Sequence, residues 1–192
     1  MIDLIYIFMI INIKPTWIDI KISYNKLNIM TNNEYYYFIY LLYLSLDTEM
    51  NSRIPQVYQY LLNFNITDEK VLFDKLKKHK NWEYVEMLNN FNYIDFIEKN
   101  INIIGIEGLI KLTNDLIYEF KNKDLNKRTK LLKFVDKSIT NKKDLIDFYK
   151  NFSNYFKKKN LKHIEKFKYI IKEVIEDING NRPYNESQRL FI

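Results

Sequence analysis

Between Leu161 and Ile178 the large apolar residues Ile164, Phe167, Ile170, Ile171, Val174 and Ile178 follow one another at steps dominated by three and four. That spacing gathers them on one side of an α-helix and leaves Lys162, Lys166 and Lys172 away from them. A strand would scatter the same set over both faces, because its side chains alternate every second residue. Gly180 suits the left-handed residue that ends such a helix, and Pro183 keeps it from resuming.

The same periodicity extends upstream. Thr31-Asn32-Asn33-Glu34 is a capping box that opens a Tyr-rich helix to about Leu46. Pro55 suits a first helical turn, with Val57, Tyr58, Leu61 and Leu62 following at helical spacing. Thr67 is the predicted cap of a further helix, with Asp68 and Glu69 in its first turn and Val71, Leu72 and Leu76 as its apolar stripe. Val85 and Leu88, then Ile94 and Ile97, predict two short helices broken near residues 89–92. Ile106–Lys121 reads as the most apolar helix, burying Leu109, Leu112, Leu116, Ile117 and Phe120. Leu131, Leu132 and Val135 mark another, and Asn141 opens one that runs to about Lys158. The expected fold is all-α, an orthogonal or HEAT-like helical bundle of about seven to nine helices over residues 30–180. Residues 181–192 form a C-terminal tail.

Residues 1–29 have a different rhythm. Ile18, Ile20, Ile22 and Tyr24 alternate with Asp19, Lys21 and Ser23, and Lys14-Pro15-Thr16 separates them from an apolar run before it. This predicts a short N-terminal β-hairpin, with an extension ahead of Met30 as the alternative. Apolar positions of 88–120 also recur 58 residues later, as in Leu109/Phe167 and Leu116/Val174. Since 58 is close to sixteen turns of about 3.6 residues, unrelated amphipathic helices match equally well.

Hydrophobic residues make up 47% of the chain, enough for a sizeable core. There is no Cys, which removes disulfides, thiolate metal sites and cysteine nucleophiles, and favours an intracellular, reducing compartment. The apolar stretches at 1–13 and 35–46 fall short of the ~20 residues that a bilayer-spanning helix needs, so no membrane partner is expected. The abundance of Ile, Asn, Lys and Tyr is the bias of an AT-rich genome, so single residues of these types carry little weight.

Charge is more telling. The net +6 conceals a segment, 121–172, with 17 Lys or Arg against five Asp or Glu, a local balance of +12. Such a field attracts acidic peptides or phosphates. The candidate contacts are Lys127, Arg128, Lys130, Lys157, Lys158, Lys159, Lys162 and Lys166. Phe152, Tyr155 and Phe156 lie close by and would serve base stacking if exposed. Against a nucleic-acid ligand, the segment has one Arg among its 17 basic residues, although Arg supplies the bidentate phosphate fork.

No catalytic constellation is apparent. His79 and His163 both lie among lysines, without a second ligand at metal-site spacing, and read as exposed surface residues. The glycines Gly105, Gly108 and Gly180 build no phosphate loop, and Gly105 reads instead as the start of a helix. No nucleophile-elbow serine is present. No catalytic, cofactor-binding or metal residue is therefore assigned, no cofactor is expected, and the chain reads as a non-enzyme.

Met87-Leu88, Ile97, Leu112-Thr113, Leu116-Ile117 and Phe120-Lys121 fall without gaps at the spacing of a known helical family. Residues 88–121 thereby resemble the N-terminal (LW) domain of transcription elongation factor TFIIS. Tyr93-Ile94 replaces the family's Ile-Gly, and Phe120 replaces its Trp. The resemblance implies a non-catalytic scaffold for short acidic–hydrophobic segments, associated with transcription. Val174–Tyr184 more loosely resembles a motif of the apoptosis-regulator bundles of animals and large DNA viruses, lacking both Trp and one Gly; that resemblance implies a groove for an amphipathic helix. The function expected is a helical protein–protein interaction module whose basic C-terminal half engages an acidic protein segment. Nucleic-acid binding and a viral-type apoptosis regulator are the alternatives.

Overall fold

A computed structural model describes residues 33–122 and 137–180. The hairpin or extension expected over 1–29, the helix expected around Leu131, and the tail 181–192 lie outside the described residues. Those described are all-α, with six helices: α1 (Asn33–Leu44), α2 (Asp47–Leu62), α3 (Glu69–Leu76), α4 (Lys80–Asn89), α5 (Tyr93–Asn122) and α6 (Lys142–Ile178).

Several boundaries differ from those the sequence predicts. The helix α2 begins at Asp47 rather than near Pro55, with Asp47 and Glu49 in its first turn against the positive end of the helix dipole. Pro55 therefore lies inside it. The carbonyl that Pro55 leaves without its usual helical donor belongs to Asn51, an exposed residue. Asp68, not Thr67, caps α3, its carboxylate accepting from the Val71 N–H at 2.9 Å. Within that helix Leu72 and Leu76 are buried while Val71 stays exposed.

The break expected near 89–92 is present between α4 and α5, where Asn92 Oδ1 accepts from the Ile94 N–H at 3.1 Å. Gly105 interrupts α5 with φ 72° and ψ 167°, so Ile106 does start a fresh helical stretch. Leu109, Leu112, Leu116 and Ile117 are buried, as the periodicity predicts. The two helices expected over 141–158 and 161–178 are one. Lys157-Lys158-Lys159-Asn160 contains no breaker, lysine is a good helix former, and α6 runs unbroken from Lys142 to Ile178. Asn141 caps it by accepting from the Asp144 N–H at 3.0 Å, and Gly180 follows its end with φ 68°.

The described residues fall into two compact units, 35–97 with 146–180, and 33–34 with 98–122 and 137–145. The first has two apolar clusters. Around Phe38 the rings of Phe91, Phe96, Tyr149, Phe152 and Phe156 stand with centroids 5.1 to 5.9 Å away, in tilted and edge-to-face arrangements that suit aromatic quadrupoles. The second cluster joins Met50, Val57, Leu61, Leu72, Leu76, Trp82 and Val85 to Phe167, Ile170, Ile171 and Val174 of α6. Two buried polar side chains of α6 reach other parts of this unit: Asn160 donates to the Val85 carbonyl of α4 at 2.7 Å, and Ser153 to the carbonyl of Phe91, between α4 and α5, at 3.3 Å. Tyr58 donates its hydroxyl to Asp177.

In the second unit, Asn114 binds both backbone groups of Ile139, its Nδ2 donating to the carbonyl and its Oδ1 accepting from the N–H, each at 2.8 Å. This pair fixes the stretch ahead of α6 against α5, and it leaves Ile139 buried with both its polar groups satisfied.

Candidate functional site

The lysine-rich stretch of α6 belongs to the first unit, and a single helix presents it. On the inner side, Phe156, Asn160, His163, Phe167 and Ile170 follow at intervals of three and four and are all buried. Lys157, Lys158, Lys168 and Lys172 therefore face outward and are exposed.

The sequence-predicted contacts separate into two groups and a remainder. Lys159 and Lys162 both turn to Asp47, in the first turn of α2, with Nζ 3.0 and 3.2 Å from Oδ1. Lys166 donates to Asn51 Oδ1 at 2.6 Å, one turn further along α2. Partial burial pushes the Asp47 carboxyl up, but hydrogen bonds and charge from Lys159 and Lys162 outweigh this and hold it below the usual carboxylate range. Burial, with Lys162 and Lys159 nearby, holds Lys166 below its ordinary value against the opposite pull of Asp47. By contrast, Lys157 and Lys158 are exposed, and no ion pair engages them among the described residues. Lys127, Arg128 and Lys130 lie outside the described residues.

Two expectations are overturned here. His163 is not a surface residue: its exposure is 0%, and neither ring nitrogen has a hydrogen-bond partner among the described residues. Burial, then the charges of Lys159, Lys166 and Lys162 against the opposing Asp47, holds its pKa down to about 4. The imidazole is thus neutral at pH 7. Its lysine neighbours in sequence suggest a wet face, yet Phe156, Asn160 and Phe167 at helical intervals place it on the buried side. His79 is half-buried, caps α4 by accepting from the Asn81 N–H at 3.1 Å, and packs its ring 4.5 Å from that of Tyr60. Base stacking on Phe152 and Phe156 is also removed, since both rings are buried in the cluster around Phe38.

A second polar group lies between α1, α2 and α4. Arg53 pairs with Glu49, donates to Asn81 Oδ1 at 3.2 Å, and places its guanidinium 4.1 Å from the Tyr84 ring centroid. Glu49 also accepts from the Tyr43 hydroxyl. Burial, then this bond to Glu49, raises the Tyr43 pKa, so the phenol stays protonated. Glu49, Arg53 and Asn81 thus join α2 to α4, while Arg53 Nε and Asn81 Nδ2 stay buried without a hydrogen-bond partner among the described residues.

Among the described residues, no group of three His, Asp or Glu is placed to hold a metal ion. None of the described helices is long and apolar enough to cross a membrane. Residues 181–184 of the apoptosis-type motif lie outside the described residues. No family model, curated protein or solved structure matches the chain.

Proposed function

We propose that the protein is a non-enzymatic, intracellular helical interaction module whose basic C-terminal half engages an acidic segment of another protein. The observation that carries this reading is the division of lysines on α6. Lys159, Lys162 and Lys166 are held by α2, whereas Lys157 and Lys158 stand exposed without an ion pair among the described residues. Uncompensated cations on a rigid helix attract carboxylates and accelerate their encounter.

The platform in this reading is an orthogonal or HEAT-like bundle. Six helices are described, and the one expected around Leu131 lies outside the described residues. The resemblance of residues 88–121 to the TFIIS N-terminal domain extends the reading to a role in transcription. Titration of a fluorescent polyglutamate peptide tests it. Binding should weaken steeply with salt and fall at least about tenfold in a K157E/K158E variant. Tighter, salt-sensitive binding of DNA or RNA with no affinity for the peptide would replace this reading with the nucleic-acid one.

A further inference from the structure

The outward face of α6 carries two residues that its charge pattern does not explain. Leu161 is 65% exposed and Tyr169 is 55% exposed. Neither serves the core, because Ile164, Phe167, Ile170, Ile171 and Val174 already supply its inward face. Their eight-residue separation is about 12 Å along the axis and about 80° around it, which places them on either side of one outward strip. Glu165 lies midway, paired with Lys168 at 2.9 Å. Lys158 stands beyond Leu161 and Lys172 beyond Tyr169, both exposed. One carboxylate thus faces a strip otherwise basic, with an apolar side chain on each flank.

We propose that this strip is a two-anchor docking surface for an acidic protein segment bearing two large apolar side chains, with Leu161 and Tyr169 as the apolar contacts. The inference rests on the basic-face reading above and narrows the partner's chemistry. Charge complementarity selects the occupant. Lys158 and Lys172, the lysines of the strip outside the Glu165–Lys168 pair, would repel the same face of a second copy, while carboxylates flanking apolar groups satisfy cations and anchors together. The anchors supply specificity that polyanion attraction lacks, since apolar contact depends on where the partner's side chains fall.

Two synthetic peptides of equal length and charge test the inference by fluorescence anisotropy. One contains Glu, Ser and Gly alone, and the other replaces two Ser, two helical turns apart, with Leu. Wild-type protein should bind the Leu-containing peptide about tenfold more tightly. An L161S/Y169S variant should lose that advantage while keeping its affinity for the purely acidic peptide. Both positions are exposed, so circular dichroism and the melting temperature should match wild type. Equal binding of the two peptides by wild type would overturn the anchors and leave the basic-face reading standing. A Leu advantage that survives in the double variant would likewise overturn them. Failure of both peptides would overturn both proposals. A dimer in sedimentation that dissolves in L161S/Y169S would give the strip to self-association instead.

Discussion

Lys159 of α6 places its Nζ 3.0 Å from Oδ1 of Asp47, a residue 112 positions earlier at the start of α2. Lys162 reaches the same oxygen, so one carboxylate accepts two ammonium groups. Asp47 also sits where the α2 dipole favours negative charge. The chain thereby supplies its own anion to part of its basic region, while Lys157 and Lys158 stay exposed without an ion pair among the described residues.

Replacing Asp47 with Asn should separate the two roles. Its side chain is 45% exposed, so the pairs are screened and their loss should lower stability by only about 0.5–1 kcal/mol. The substitution also releases Lys159 and Lys162, so polyglutamate should bind D47N more tightly than wild type. Urea denaturation and anisotropy measure the two effects. Unchanged peptide affinity would mean that these lysines lie outside the contact surface.

His163 makes stability depend on pH. Its folded pKa of about 4 is below its unfolded value of about 6.5, so the unfolded chain binds more protons between these limits. The stabilisation is complete above pH 6.5, declines as pH falls, and is exhausted near pH 4. The full span is about 3 kcal/mol as an order of magnitude. A protonated His163 would face Lys159, Lys162 and Lys166, with only Asp47 opposing them, and neither nitrogen has an acceptor among the described residues. In H163L this component of the pH dependence should disappear, and stability at pH 8 should hold or rise, because two unpaired nitrogens leave the core. Parallel denaturation curves from pH 8 to pH 5 for both proteins would refute the assignment.

The contrast between Phe167 and His163 explains how far the sequence could be read. Phe167 belongs to an apolar stripe whose periodicity alone dictates a helix and its buried side, and so do Leu109, Leu112 and Leu116. His163 shares that buried side, but its own chemistry and its adjacent lysines point to water. Only its helical neighbours Phe156 and Phe167 would have revealed it. The continuity of α6 was hidden similarly, since a lysine triplet looks like a linker although nothing in it stops a helix. Pro55 misled in the same direction, because a proline is tolerable inside a helix whose residue four positions earlier, here Asn51, is exposed. The division between tethered and free lysines was not legible at all. It depends on Asp47 and Asn51, which come within reach of α6 only through tertiary packing.

Phe38 should be the most sensitive core position. It is fully buried and surrounded by Phe91, Phe96, Tyr149, Phe152 and Phe156, which come from the 91–97 stretch and α6. Truncation to Ala should cost about 3–5 kcal/mol, and Leu, which fills more of the space, should cost less. Near-ultraviolet circular dichroism and urea midpoints check both variants. An F38A protein as stable as wild type would show that α1 does not pack on α6.

Gly105 provides a test of backbone conformation rather than packing. At φ 72° and ψ 167° it occupies a region that residues with a Cβ scarcely enter. A Cβ built there meets nothing within 4 Å, so any penalty on substitution is conformational and not steric. Within a regular helix, Gly to Ala stabilises by about 1 kcal/mol. Here G105A should instead cost about 1–3 kcal/mol, or force the interruption in α5 to heal into regular helix. The two results are distinguishable, because healing would raise the helical signal at 222 nm while strain would lower only the melting temperature. A variant with unchanged dichroism and a higher melting temperature would mean that residue 105 sits in ordinary helix, and that α5 has no break ahead of Ile106.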